Sequence, residues 1–170
     1  MTEAYDGPQV VGMDLHRQRS VLVRMTPDGR RPETARITSS APELCREIAK
    51  AGEHPRVVLE ATYGWYWAAD ALAAAGAEVH LAHPLGVKAF SCRRVKNDEK
   101  DAADLADLLR MGRLPEAWIA PPQVRELREL TRYRILCRCR HKIRYADARI
   151  MPMPDQVAGA VAVAGVKTSA

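Results

Sequence analysis

The apolar positions fall first into short runs and later into a helical period. Val10-Val11-Gly12-Met13-Asp14 is an apolar run closed by an acid, and Ser20-Val21-Leu22-Val23-Arg24-Met25 follows after a polar break. Two strands joined by a tight turn fit this pattern. Pro27-Asp28-Gly29 predicts the next turn, since proline presets φ and glycine accepts a positive one, and residues 31–38 then return as a third strand. An antiparallel meander is expected.

Ser40 followed by Glu43 has the spacing of a capping box, and the helix it opens runs to Lys50 and stops at Gly52. Arg56-Val57-Val58-Leu59-Glu60 is a fourth strand, again ending on an acid. The alanine-rich stretch 65–75 predicts a helix stopped by Gly76, and Glu78-Val79-His80-Leu81-Ala82 a fifth strand ended by Pro84. Strand, helix and strand with short connections form a parallel crossover unit. Beyond it come a helix over 97–111, a proline-bounded spacer and a long helix over 123–150. The expected fold class is α/β: a mixed sheet of the ribonuclease-H type with flanking helices, followed by a long, basic, coiled-coil-like helix. Actin and sugar-kinase folds begin in the same way, so element order alone leaves them open.

Composition narrows the class. Hydrophobic residues make up 47% and charged residues 28% of 170, which excludes disordered and collagenous chains. The longest uncharged apolar run, Val157 to Val166, is too short to span a bilayer, so no membrane association is expected. The first eight residues carry Glu3 and Asp6 and no apolar segment, and Cys45, Cys92, Cys137 and Cys139 show no framework spacing. No secretory signal, reduced thiols and a cytoplasmic location are expected.

Charge is unevenly placed. The net +5 is concentrated in residues 123–150, which hold 9 basic and 3 acidic side chains, while the remainder is close to neutral. Such a segment suits contact with a polyanion, and equally a solvated basic helix. Its arginines Arg125, Arg128, Arg132, Arg134 and Arg138 are the candidate nucleic-acid contacts.

The candidate chemistry is acidic. Asp14 and Glu60 close two strands, at the edge where open sheets build their sites. Asp98, Asp101, Asp104 and Asp107 recur every three residues on a predicted helix. With Asp98 at zero on a wheel of ~100° per residue, Ala102, Leu105, Ala106 and Leu109 cluster between about 340° and about 80°. Asp98 is then expected on the buried face, Asp101 at its edge and Asp107 toward solvent. Carboxylates aimed inward repel one another unless a cation neutralises them, and oxygen ligands suit Mg²⁺ or Mn²⁺. A helix whose first turn merely favours acids is the plainer explanation of Asp98 alone. Cys137, Cys139 and His141 do not make a zinc set, because Cys139 lies ~200° from Cys137 on a helix. His80 and His83 read as unrelated histidines, and no phosphate-cradling glycine loop is present.

Three strings resemble one family. Val11-Gly12-Met13-Asp14-Leu15-His16, Leu59-Glu60-Ala61-Thr62-Tyr63-Gly64-Trp65-Tyr66 and Lys96-Asn97-Asp98-Glu99-Lys100-Asp101-Ala102 resemble the DEDD transposases of bacterial insertion sequences, the IS110 group, which includes Piv-type invertases. The likeness covers about residues 8–134 and implies a RuvC-like ribonuclease-H domain. Asp14, Glu60, Asp98 and Asp101 would be its four catalytic, Mg²⁺-binding acids. It further implies DNA as substrate, a structured bridging RNA as partner, and a coiled coil that pairs subunits into a homodimer or higher oligomer. The domains expected are a catalytic domain over 8–112, a spacer over 113–122, the basic helix over 123–150 and an aberrant or disordered tail over 151–170.

One departure accompanies the match. The family's second domain carries a serine nucleophile, and no serine here has that context, so the expectation is a C-terminally truncated transposase with no nucleophile, inactive alone. A frameshift near residue 135 would produce this. The alternatives are a non-catalytic, dimerising DNA- or RNA-binding fragment and a stand-alone RuvC-like nuclease using water.

Overall fold

The computed structural model describes Tyr5, residues 7–90 and residues 97–138. The expected tail 151–170, the continuation of the last helix over 139–150, Cys92, Lys96 and the Cys139 and His141 positions lie outside the described residues. The chain divides into two compact units, Met1–Ile119 and Ala120–Ala170.

The first unit is built on a five-stranded sheet in the order β3-β2-β1-β4-β5. Its strands are β1 (Val10–Asp14), β2 (Arg19–Met25), β3 (Glu33–Thr38), β4 (Arg56–Glu60) and β5 (Glu78–Ala82). β2 runs antiparallel to both β1 and β3, whereas β4 runs parallel to β1 and to β5. The meander and the crossover unit therefore share one mixed sheet, with β1 at its centre. Among the described residues no helix is long and apolar enough to cross a membrane.

Alternation along the strands sends side chains to two faces. Val11, Met13, Leu22, Val57 and Leu59 pack beneath helices α1 (Ala41–Ile48) and α2 (Trp65–Ala74), meeting Leu44, Ile48, Ala68 and Leu72. Trp65, which opens α2, belongs to this core. On the opposite face Val10, Met25 and Val58 meet Leu105, Ala106 and Leu109 of α4 (Asp98–Arg110), and Val21 and Val23 meet Ala102 and Ala103. A short helix, α3 (Pro84–Lys88), follows β5, started by Pro84 where only a strand stop was expected; the His83 ring accepts from the Gly86 N–H at 3.3 Å.

Local details differ from expectation for identifiable reasons. Ser40 is the extended N-cap of α1 but makes no side-chain cap hydrogen bond, and Glu43 pairs with Arg46 instead, so the capping box does not form. That helix tightens into a 3₁₀ turn at Ala49–Ala51 before Gly52. The third strand starts at Glu33, two residues after the expected position, because Arg30 still closes the turn onto Thr26. Within the expected spacer, Glu116 forms a bridge with Ala82, and its carboxylate lies 3.0 Å from His80 Nδ1.

The second unit is described through α5 (Pro122–Arg138), the first part of the expected long helix. Arg128, Arg132 and Arg134 are exposed on it, whereas Arg125 is buried. Arg132 pairs with Glu129 one turn earlier, and the Arg138 side chain lies outside the described residues.

Candidate metal centre

Gly12 sets how closely α4 approaches the sheet. A Cβ there would stand 1.8 Å from the Ala102 carbonyl oxygen and 2.8 Å from the Ala106 nitrogen. Only a residue without a side chain lets the helix backbone rest on β1 at this distance, and alanines at 102 and 106 complete the contact. Two residues along β1 from Gly12, on the same face, stands Asp14; one turn before Ala102 stands Asp98. The close packing therefore brings these two acids together.

The Asn97 side chain caps α4, accepting from the Glu99 N–H at 3.1 Å, and fixes its first turn. His16, from the turn after β1, folds back so that its Nε2 lies 3.0 Å from Asp14 Oδ2 and 3.8 Å from Asp98 Oδ1. One ligand atom each of Asp14, His16 and Asp98 all lie within 4.8 Å of one another. Asp14 is largely buried, with 19% of its side chain exposed, while Asp98 is 59% exposed. Asp98 was expected on the buried face. It does aim toward β1, but α4 begins at the sheet's edge, so its first turn overhangs the strand end and remains open to solvent.

Burial pushes the Asp14 carboxyl above the ordinary carboxylate range, and the neighbouring charges of Asp98 and Asp101 push the same way, while His16 opposes them. A carboxylate that is costly to ionise alone, facing a second carboxylate and an imidazole, fits a small divalent cation. Asp14, Asp98 and His16 would hold it.

The other expected acids stand differently. Glu60 ends β4, one residue past the Leu59 that pairs with Met13, so parallel pairing brings it alongside Asp14 at the same edge and on the same face. It is half-buried and, like Asp101, is not within the three-residue set. Asp101 remains near enough to act on Asp14 through its charge. Asp107, expected toward solvent, is half-buried and held by Arg110 at 2.6 Å, because α4 lies across both β1 and β2 and buries a wider stripe than the wheel allowed. His16 was missed as a site residue. Its signal was its place two residues after a strand-end acid, which carries weight only once the turn is known to fold back.

A mixed five-stranded sheet with helices on both faces, whose central strand ends in a carboxylate faced by a helix that opens on a second, defines the expected α/β class. Residues 11–141 match the transposase family DEDD_Tnp_IS110, and the chain belongs to that family. Among solved structures it is similar to RuvC of T. thermophilus in complex with a Holliday junction substrate, at 16% identity and a TM-score of 0.47, over 65% of this chain and 100% of that one. No curated protein matches it.

Proposed function

We propose that this chain acts in DNA transposition and that its first unit is the metal-dependent strand-cleaving and strand-transfer domain of a transposase. One observation carries the reading: Asp14, His16 and Asp98 converge within 4.8 Å at the edge of the sheet, in a chain of the DEDD transposase family. Glu60 and Asp101 complete the proposed acid set, Glu60 beside Asp14 and Asp101 one helical turn from Asp98. The cation is Mg²⁺ or Mn²⁺; when bound it supplies Lewis-acid stabilisation of charge on phosphodiester oxygens.

The chain's own residues set the geometry. Asp14 is held rigidly by the strand, Asp98 is open to solvent at the mouth, and His16 stands between them as nitrogen ligand or hydrogen-bond partner. The exposed Arg128, Arg132 and Arg134 supply the cationic surface for DNA, or for a structured RNA that joins DNA segments. The exposed Leu127 and Ile135 on the same helix suit pairing with a second copy.

Calorimetric titration of the full chain with Mg²⁺ and with Mn²⁺ tests the centre. Asp14→Asn and Asp98→Asn should each lower affinity at least tenfold; unaltered binding in both variants would refute it. A second reading, a binding module without catalysis, draws on the exposed arginines of α5. It requires DNA binding that falls steeply with salt and survives loss of the acids.

A further inference from the structure

Helix α4 starts at Asp98 and covers β2 only as far as Val21 and Val23. Beyond its first turn no described residue lies on this face of the sheet's β2–β3 end, and a groove of about 1030 Å³ opens there among the described residues. Its lining includes Arg17, Arg19, Arg36 and Thr38 together with His16 and Asp98. The strand register accounts for this: Arg19 pairs with Thr38 and Val21 with Arg36, so these four side chains share the face on which α4 lies.

We propose that this groove is a track for the phosphodiester backbone of a DNA strand, with Arg17, Arg19 and Arg36 as its phosphate contacts. The proposal rests on the reading of Asp14, His16 and Asp98 as a nucleic-acid-processing centre and says how a strand reaches it. Arg17 and Arg19 are exposed and make no ion pair among the described residues. Arg36 meets Glu99 at 3.5 Å with 71% of its side chain exposed, a pair weak enough to be exchanged for a phosphate. Guanidinium groups bind phosphate oxygens bidentately, and three of them along one groove match a ligand whose charge repeats along its length. His16 and Asp98 of the proposed centre are themselves lining residues, so a strand seated on the arginines lies beside that centre. These residues lie far along the chain from the basic helix and were not among the expected contacts.

Fluorescence anisotropy with a labelled DNA oligonucleotide, in EDTA so that no cleavage occurs, tests the track across a salt series. Arg17→Ala/Arg19→Ala should weaken binding about tenfold or more at low salt. The slope of log K against log salt should flatten by about 1.4–1.8, the release expected from two lost phosphate contacts. Arg46→Ala/Lys50→Ala, which removes equal charge at the helix on the opposite face, should change neither. Groove and control variants that bind alike, with melting curves showing both folded, would overturn the proposal. Metal calorimetry separates the two readings: the groove variant should bind Mn²⁺ like the wild type. Loss of metal binding only in Asp14→Asn together with unaltered DNA binding in the groove variant overturns the track alone, whereas a groove effect without metal binding anywhere overturns the centre and leaves the track.

Discussion

Gly12→Ala is a single methyl group placed where the fold leaves no room. The new carbon would meet the Ala102 carbonyl oxygen at 1.8 Å, whereas ordinary contact begins near 3.4 Å. The atoms involved are helix backbone on one side and a central strand on the other, so no side chain can swing away. Relief requires α4 to lift by roughly 1.6 Å, or the strand to bow by as much, and overpacking of this kind costs about 1–3 kcal/mol. For a chain of this size that is a fall in Tm of about 2–12 °C. Function should suffer more than stability. Metal ligands tolerate errors of about 0.2 Å, so a helix lifted by several times that distance carries Asp98 out of range of Asp14. Thermal melting followed by circular dichroism, with and without Mn²⁺, reads both effects: the variant should stay folded, melt earlier and lose the rise in Tm that metal confers. A variant that melts like the wild type and keeps its metal response would mean that α4 does not rest on β1 at Gly12.

Other outcomes follow from the same contacts. Asp14→Asn should raise the Tm of the metal-free protein at neutral pH in thermal melts, since burial and two neighbouring acids oppose ionisation of this carboxyl by more than His16 favours it. The sign is set by linkage: with the folded-state value raised above 3.8, the native state binds more protons, so wild-type stability falls as pH rises through that window and the Asn variant should lack this fall. Asn97→Ala removes the cap of α4 and should cost about 0.5–2 kcal/mol in urea unfolding, with weaker metal binding because Asp98 stands in the turn the cap secures. Leu127→Glu should convert a dimer to monomers in sedimentation if α5 pairs subunits; a wild-type chain already monomeric at high concentration would end the pairing proposal.

Much of the fold was legible because its signals are local. Apolar runs closed by Asp14 and Glu60, turn residues at 27–29 and Gly76 after α2 each determine structure through neighbouring atoms, and the strands, α2 and α4 formed close to where the pattern put them. Features that depend on contacts distant in sequence were not legible. The wheel placed Asp98 and Asp107 by angle alone, but exposure depends also on where the helix ends relative to the sheet. Gly12 looked like any strand glycine until the helix 90 residues later was found against it. Arg17, Arg19 and Arg36 carry no signal of their own along the sequence, and only the sheet register and the start of α4 place them beside His16.

Loading the protein with Fe²⁺ and adding ascorbate and peroxide generates hydroxyl radicals at a bound ion, which cut the polypeptide within a few ångströms of where it sits. If Asp14, His16 and Asp98 hold the metal, the wild-type chain should yield fragments ending near residues 14–16 and near residue 98, and Asp14→Asn should abolish both. Uniform cutting, or the same fragments from the Asn variant, would contradict a metal centre at this edge of the sheet.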